Sequence, residues 1–232
     1  MEFDGRTVAI TGASRGLGAA AARRFAGGGA HVAICARDAD ALASVASAIE
    51  AEGGTVTSIR ADVRDEFDVE RFVETAAREG DGIDVVFANA GVYHGDPGET
   101  PLAGESYSAF DDHLRTNARG VFTTVREAVP HLSEGARVLV PSGRVAREAN
   151  PGLGSYAVSK AAAEAVARQF AAELDHAVGV VDPGQVSTDL TGNGPGRAPE
   201  DVVGMVLWAA GLPDSELNGE VLDLRAWKTA TR

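Results

Sequence analysis

The sequence predicts an α/β protein with a doubly wound parallel sheet and helices on both faces of that sheet. Short apolar segments alternate with longer segments in which apolar residues recur every three to four positions, the pattern of strands followed by helices. Parallel crossovers need a helix and are right-handed, so regular alternation builds one sheet covered on both sides. No repeat or linker divides the 232 residues, and we expect residues 1–232 to form a single domain.

The expected elements follow one another along the whole chain. Strands are predicted at 7–10, 31–35, 55–59, 85–87, 138–140, 178–181 and 220–224. Helices are predicted at 19–26, 40–52, 69–77, 120–132, 155–174 and 202–210. Gly, Pro and Ser residues predict a long loop over 92–108 and a flexible loop over 192–196.

The composition excludes several classes of partner and cofactor. The 34 acidic residues outnumber the 21 Lys and Arg, and the formal net charge of −13 argues against binding nucleic acid or an anionic membrane. A single cysteine, Cys35, excludes a disulfide framework, and the five histidines show no metal-ligand spacing. With no apolar run of about 20 residues and no signal-peptide pattern at the first residues, we expect a cytoplasmic protein.

The acidic, lysine-poor composition has two interpretations. A high-salt cytoplasm would screen the repulsion within such a surface, as in a halophilic protein. A GC-rich genome that favours Arg, Ala, Gly and Asp would produce the same composition without that adaptation.

A glycine-rich turn joins the first predicted strand to the first predicted helix. In this position glycines let the backbone approach a pyrophosphate, and the helix N-terminus offers free N–H groups and a positive dipole end. This placement predicts a Rossmann-type dinucleotide site. Its expected cofactor-binding residues are Gly12, Ser14, Arg15, Gly16, Leu17 and Gly18.

The end of the second predicted strand indicates which dinucleotide is bound. Sites for NAD usually place an acidic residue here, which bonds the ribose 2′-hydroxyl. This chain has Ala36 followed by Arg37, and an arginine can pair with a 2′-phosphate. Arg15, within the glycine-rich turn, could reach the same phosphate. The sequence therefore predicts NADP(H) in preference to NAD(H).

Tyr156 and Lys160 are the candidate acid–base pair. They stand four residues apart in a predicted helix, and therefore on one face, one turn apart. A tyrosine ionises near pH 10, but a neighbouring lysine and a nicotinamide cation favour the phenolate and lower that pKa. The chain contains only one other lysine, Lys228.

With the glycine-rich turn, the Tyr156–Lys160 pair and several further segments, the chain resembles the short-chain dehydrogenase/reductase family over nearly its whole length. Asp62-Val63 is similar to the family's adenine-contacting pair, and Asn89-Ala90-Gly91 to the motif that stabilises the central sheet beside the cofactor. The segment that lines the nicotinamide in the family is matched by Pro183, Gly184, Val186 and Thr188.

The resemblance implies how the catalytic groups divide the reaction. Tyr156 would transfer a proton, Lys160 would lower the tyrosine pKa and bind the nicotinamide ribose, and Asn117 would hold a proton-relay water. The family's serine, which bonds the substrate carbonyl, falls at Gly143, whereas the nearest serine is Ser142. Either the loop contains one extra residue and Ser142 still serves, or the hydroxyl is missing.

Other departures from the family concern the substrate pocket. The loop after Gly91 is longer than usual, while the segments 174–183 and after Thr188 are short. The segment 222–225 lacks the usual glycine pair.

The resulting hypothesis is reversible carbonyl/alcohol oxidoreduction of a small molecule by a homo-oligomer, a tetramer or dimer. The alternatives are a catalytically weak NADP-binding sensor, or a dehydratase, epimerase or dehalogenase on the same fold.

Overall fold

The computed structural model describes residues 3–192 and 194–232. Its seven-stranded sheet is parallel throughout and has the strand order β3-β2-β1-β4-β5-β6-β7. The strands are β1 (Thr7–Thr11), β2 (His31–Ala36), β3 (Thr55–Arg60), β4 (Ile83–Phe87), β5 (Leu132–Pro141), β6 (Ala177–Asp182) and β7 (Val221–Asp223).

Helices cover both faces of this sheet. They are α1 (Gly16–Ala26), α2 (Ala39–Ala51), α3 (Glu66–Gly80), α4 (Tyr107–His113), α5 (Gly120–Ala128), α6 (Gly154–Glu173), α7 (Pro199–Ala210), α8 (Asp214–Leu217) and α9 (Leu224–Ala230). One apolar core lies between the sheet and α1, α2 and α7, and a second lies between the sheet and α3, α5 and α6. The doubly wound, single Rossmann-like domain expected from the sequence is therefore confirmed.

The central strands are apolar because both of their faces are covered. Every residue of β1 and of β6 is buried, as is typical of parallel strands between two helical layers. On α6 the small residues Ala163, Ala167 and Ala171 are buried against the sheet. Their spacing keeps one face of α6 on the sheet and lets the helix backbone approach closely.

The strand order determines where the functional site lies. β1 sits beside β4, so the chain winds outward in opposite directions from that pair, and a crevice opens at the carboxyl ends of the strands there. The turn after β1, the segment after β4, and the ends of β5 and β6 all meet along this edge. These four segments contain the glycine-rich turn, Asn89, Ser142 and Pro183.

Several element boundaries differ from those expected. The segment predicted as a loop over 92–108 ends earlier, because α4 begins at Tyr107 with Ser106 as its N-cap. The helix predicted over 120–132 ends at Ala128, and a short 3₁₀ turn leads into β5, which starts at Leu132. The C-terminal strand stops at Asp223, whose side chain caps α9. Of the loop expected over 192–196, residue 193 lies outside the described part.

A π-helical segment, Leu114–Arg119, joins α4 to α5 in one continuous helical rod. Short π segments inside α-helices are often found at functional sites, and this one contains Asn117. Across the part of the chain that the structure describes, no helix is both long enough and apolar enough to traverse a bilayer.

Candidate active site

A single cavity of about 850 Å³ follows the crevice at the carboxyl edge of the sheet. Most of the predicted site residues line it: Gly12, Ser14, Arg15, Gly16, Leu17, Arg37, Asp62, Val63, Asn89, Ala90, Gly91, Ser142, Tyr156, Lys160, Pro183, Gly184, Val186 and Thr188. Gly18 and Asn117 lie behind its wall. The structure thus brings together residues that are more than 170 positions apart in the sequence.

The glycine-rich turn is built for close backbone contacts. A Cβ at Gly12, which has φ of +68°, would lie 2.6 Å from the Ala90 Cα, and a Cβ at Gly18 would lie 2.4 Å from the Gly12 carbonyl oxygen. Arg15 is the N-cap of α1 but its side chain does not cap the helix. The first N–H groups of α1 therefore face the cavity without a side-chain acceptor, a suitable environment for a pyrophosphate.

Asn89 links the segment after β4 to the glycine-rich turn through hydrogen bonds. Its Nδ2 donates to the carbonyl oxygens of Thr11 and Gly12, each at 3.0 Å, and the Thr11 hydroxyl accepts the Ala90 N–H at 3.1 Å. These bonds satisfy backbone groups on both sides of the crevice. They hold the floor of the cavity at the position where β1 and β4 separate.

Tyr156 and Lys160, the third and seventh residues of α6, line the same cavity. Lys160 is 8% exposed, its Nζ lies 5.9 Å from the centre of the Tyr156 ring, and it donates to the Pro141 carbonyl oxygen at 3.1 Å. Burial raises the pKa of Tyr156 to about 12, and Tyr93 adds to this shift. The lowering of this pKa expected from the neighbouring lysine is therefore not seen, because removal of the phenol from water dominates. Burial lowers the pKa of Lys160 to about 8, against the attraction of Glu164.

A buried ionic cluster lies next to Lys160. Glu164, one helical turn further along α6, and Asp182, at the end of β6, are 2% and 3% exposed at their side chains. Arg147 reaches in from the loop after β5 and donates to both carboxylates. The second Asp182 oxygen accepts the Gly184 N–H at 3.0 Å. This cluster joins α6, β6 and the loop after β5, and the sequence alone did not reveal it.

Ser142 lies at the end of β5, where its N–H donates to the Val181 carbonyl oxygen at 2.9 Å. Its hydroxyl oxygen is buried and has no hydrogen-bond partner among the described residues. Burying a hydroxyl without a partner is unfavourable. A hydroxyl left free beside Tyr156 and Lys160 is suited to a ligand oxygen, whereas Gly143 has no side chain to offer.

Asn117 does not reach the cavity. It is 1% exposed, its Oδ1 accepts the Val92 N–H at 2.8 Å, and its Nδ2 donates to the Val92 carbonyl oxygen and to Ser159 Oγ, both at 2.9 Å. Both amide hydrogens are therefore used within the protein. Through these bonds Asn117 links the segment after β4 to α6.

Two aromatic side chains that sequence analysis missed surround the Tyr156 ring. Tyr93 packs edge-on against it with ring centres 4.7 Å apart, and the His113 ring lies 6.0 Å away. Tyr93 also lines the cavity. No local pattern marks these residues, because they come from the long loop and from α4.

Asp62, at the expected adenine end, belongs to a chain of polar contacts. Arg64 donates to Asp62 and, at 2.6 Å, to Asp112, and the other Asp112 oxygen lies 2.8 Å from His94 Nε2. Burial opposes ionisation of Asp62, but the hydrogen bonds from Arg64 outweigh it and lower the pKa of the carboxyl. The Asp62 side chain is thereby held ionised and fixed at the cavity wall.

Both arginines predicted to bind a 2′-phosphate line the cavity. Arg15 stands in the turn after β1, and Arg37 directly follows β2. Arg37 is exposed and makes no hydrogen bond or ion pair within the described residues. Arg15 forms an ion pair with Asp189 across the cavity mouth at 3.5 Å. Asp38, the only carboxylate directly beside Arg37 in sequence, uses its side chain to accept the Ala41 N–H and cap α2.

Comparison with known proteins identifies the class of protein. The profile of the family described as short chain dehydrogenase matches residues 6–196. The chain is 34% identical over 226 residues to 1-deoxy-11-beta-hydroxypentalenate dehydrogenase of Streptomyces exfoliatus, covering 91% of this chain and 82% of that one. It is 32% identical over 240 residues to glycine betaine reductase of Emericella nidulans, covering 95% of this chain but only 19% of that protein.

A solved structure agrees with this assignment. A short chain dehydrogenase from Burkholderia cenocepacia J2315, in complex with NADP, superposes with a TM-score of 0.86 at 29% identity, over 97% of this chain and 98% of that one. The chain belongs to the short-chain dehydrogenase/reductase family. It is an oxidoreductase of CH–OH or carbonyl groups on a fold that binds a nicotinamide cofactor.

Proposed function

We propose that the protein catalyses reversible oxidoreduction of a small-molecule carbonyl or alcohol with NADP(H), in the cytoplasm. The observation that carries this proposal is the convergence of Tyr156, Lys160 and the partnerless Ser142 hydroxyl in the cavity that begins at the glycine-rich turn. The nicotinamide, when bound, supplies or accepts the hydride and carries a positive charge in its oxidised form.

In the reduction direction the side chains would act on the substrate oxygen. The free Ser142 hydroxyl donates to the carbonyl oxygen and polarises it, and the Tyr156 hydroxyl delivers a proton to that oxygen as the carbon accepts the hydride. The alcohol formed has gained one hydride and one proton, and Tyr156 is left as a phenolate. In oxidation the same phenolate would take the proton back.

The pKa values fit Tyr156 as the acid in the reduction direction. Since burial raises the pKa of Tyr156 to about 12, the phenol carries its proton at neutral pH. Lys160, with a pKa lowered to about 8, is mostly cationic at neutral pH and loses charge as the pH rises through that value. Its cation favours the phenolate that forms when the proton leaves.

Asn117 takes a different part in this proposal from the one the resemblance implied. Its side chain is occupied by Val92 and Ser159, so a relay water would have to bind to backbone groups of the π-helical segment rather than to the Asn117 amide. We assign to Asn117 the positioning of these groups. Ser159 itself donates to the Tyr156 carbonyl oxygen at 2.8 Å.

A preference for NADP(H) is supported by the two residues that directly follow β2, Arg37 and Asp38. A 2′-phosphate there would meet the exposed Arg37 guanidinium, while the Asp38 carboxylate is engaged at the N-terminus of α2. The Burkholderia protein, which is similar over almost the whole chain, was solved with NADP. No feature of the described residues gives comparable support to the sensor, dehydratase, epimerase or dehalogenase alternatives.

Replacing Tyr156 by Phe should abolish turnover of a carbonyl substrate while NADPH affinity stays close to that of the parent protein. Ser142→Ala should reduce kcat by roughly 10²-fold, as expected for the loss of one polarising donor. NADPH oxidation and a binding titration measure the two effects. Tyr107→Phe, at a tyrosine that is 92% exposed, is the matched control. Full activity in Ser142→Ala would assign carbonyl polarisation to another group.

Replacing Arg37 by Ala should weaken NADP binding roughly 10- to 100-fold, the range for one charge-assisted contact, and should leave NAD binding almost unchanged. Calorimetric titration with both cofactors measures the difference. Arg24→Ala, on the exposed side of α1, is the control. Equal losses for the two cofactors would refute the role given to Arg37.

We also propose that α5 and α6 pair across a two-fold axis in a homo-oligomer. Three alanines of α6 pack on the sheet, but Ala165 and Ala172 face outward, and Val158 is 39% exposed. Beside them Phe122 is 42% exposed and stacks on Phe170 with ring centres 6.0 Å apart. Small and apolar residues on this outer face let two helices approach closely and remove apolar surface from water.

Light scattering should therefore give the mass of a tetramer or a dimer. Phe122→Glu should shift the population to smaller species, because a carboxylate would be buried at the helix pair. Phe67→Glu, at a phenylalanine on α3 that is 71% exposed, should leave the mass unchanged. A monomeric parent protein would exclude the pairing.

A further inference from the structure

Glu105 is a buried carboxylate that the proposed chemistry does not use. It ends the long loop between β4 and α4, and its side chain is only 4% exposed although the residues just before it are exposed. An ionised carboxylate is costly to bury unless nearby groups compensate its charge. The contacts of Glu105 therefore indicate what the loop holds in place.

The first contact is with α6, the helix that contains Tyr156 and Lys160. Glu105 Oε2 accepts the Ser155 N–H at 2.7 Å, in the first turn of α6, where the N-cap residue Leu153 offers no side-chain acceptor. An anion at this end also interacts favourably with the helix dipole. The approach is so close that a Cβ at Gly154 would lie 2.8 Å from that oxygen. Glu105 caps α6 from 50 residues away.

The second contact is with His113. Its Nε2 accepts the His94 N–H at 2.9 Å, so the neutral ring carries its proton on Nδ1. That nitrogen donates to Ser155 Oγ at 2.7 Å and lies 3.3 Å from Glu105 Oε1, a buried oxygen without a hydrogen-bond partner among the described residues. His113 is fully buried, and its ring flanks Tyr156. Glu105, His113 and Ser155 thus form one buried polar cluster behind the tyrosine.

The loop is also attached to the segment that precedes α6. The N–H groups of Gly98 and Thr100 both donate to the Gly152 carbonyl oxygen at 3.0 Å, and Thr100 bridges to Leu153. Tyr93, at the start of the same loop, reaches Gly152 with its hydroxyl at 3.4 Å and packs its ring on Tyr156. One loop therefore holds both the start of α6 and the phenol.

We propose that Glu105 is a positioning residue for the oxidoreduction described above, on which this inference rests. By capping Ser155, whose hydroxyl contacts His113, it fixes the start of α6 and with it the direction of the Tyr156 phenol. A reacting group displaced by about 1 Å can cost about 10²-fold in rate. The position of Tyr156 within the cavity consequently depends on a carboxylate that never touches the substrate.

The test uses steady-state NADPH oxidation by the full chain and its variants, with rates expressed per folded enzyme. Glu105→Ala should lower kcat by about 10²-fold and leave the KM for NADPH unchanged. Glu105→Gln should keep most of the rate, because its amide oxygen can still accept the Ser155 N–H. Glu99→Ala, at an exposed carboxylate of the same loop, should match the parent protein.

Two results would overturn the proposal. Glu105→Ala could melt at a lower temperature yet keep the parent kcat, which would make Glu105 purely structural. Equal losses in the Ala and Gln variants would show that the cap is not what matters. If Glu105→Ala does not fold, Glu105→Asp decides: its shorter side chain withdraws the oxygen and should lower kcat, and an unchanged kcat contradicts the proposal.

A spectroscopic measurement that needs no substrate distinguishes failure of the Glu105 proposal from failure of the proposed function. Tyrosinate absorbance is titrated in the parent and in Glu105→Ala, and the Tyr156→Phe counterpart of each isolates the Tyr156 contribution. Release of the α6 N-terminus should admit water and lower the pKa of Tyr156 from about 12. An unchanged pKa would overturn the positioning role even if no carbonyl substrate were turned over.

Discussion

Burying an ammonium group is unfavourable unless its protons find acceptors and its charge finds partners, and Lys160 is buried at the carboxyl edge of the sheet. Its Nζ donates to the Pro141 carbonyl oxygen at the end of β5. Glu164 attracts its charge from one turn along α6. Because Arg147 in turn pairs with Glu164 and Asp182, the lysine is stabilised only when α6, β5, β6 and the loop after β5 are assembled together.

The same assembly arranges the rest of the site. Pro141 is followed directly by Ser142, so the carbonyl that accepts from Lys160 also fixes where the free hydroxyl stands. Asp182 is followed by Pro183 and Gly184, whose N–H the Asp182 carboxylate accepts, and this orders the segment beside the expected nicotinamide. The buried lysine is therefore as important for the geometry of the cavity as for the chemistry of Tyr156.

Features that depend on local spacing could be predicted from the sequence. The strand–helix alternation predicted the sheet, the glycine-rich turn predicted the crevice after β1, and the four-residue spacing of Tyr156 and Lys160 placed both on one face of α6. The element ends were less predictable. Ser106 and Asp223 act as N-caps, but the loop composition around the first and the strand pattern around the second concealed the helices that follow.

Features that depend on distant contacts could not be predicted. Glu105 meets Ser155 across 50 residues, His113 meets Ser155 across 42, and Arg147 meets Asp182 across 35. No periodicity in a single segment records such pairings. The sequence likewise gives no sign that the Ser142 hydroxyl lacks a partner, because only the folded cavity reveals it.

In the proposed mechanism the cavity holds Tyr156 protonated until a nicotinamide cation favours its phenolate. At about pH 10, the ordinary pKa of a tyrosine, the phenol of the unliganded protein should keep its proton, because its pKa is raised to about 12. Tyrosinate absorbance should therefore appear when NADP⁺ is added at that pH, and it should be lost in Tyr156→Phe. If saturating NADP⁺ produces no tyrosinate signal from Tyr156, the proposed role of the nicotinamide cation is wrong.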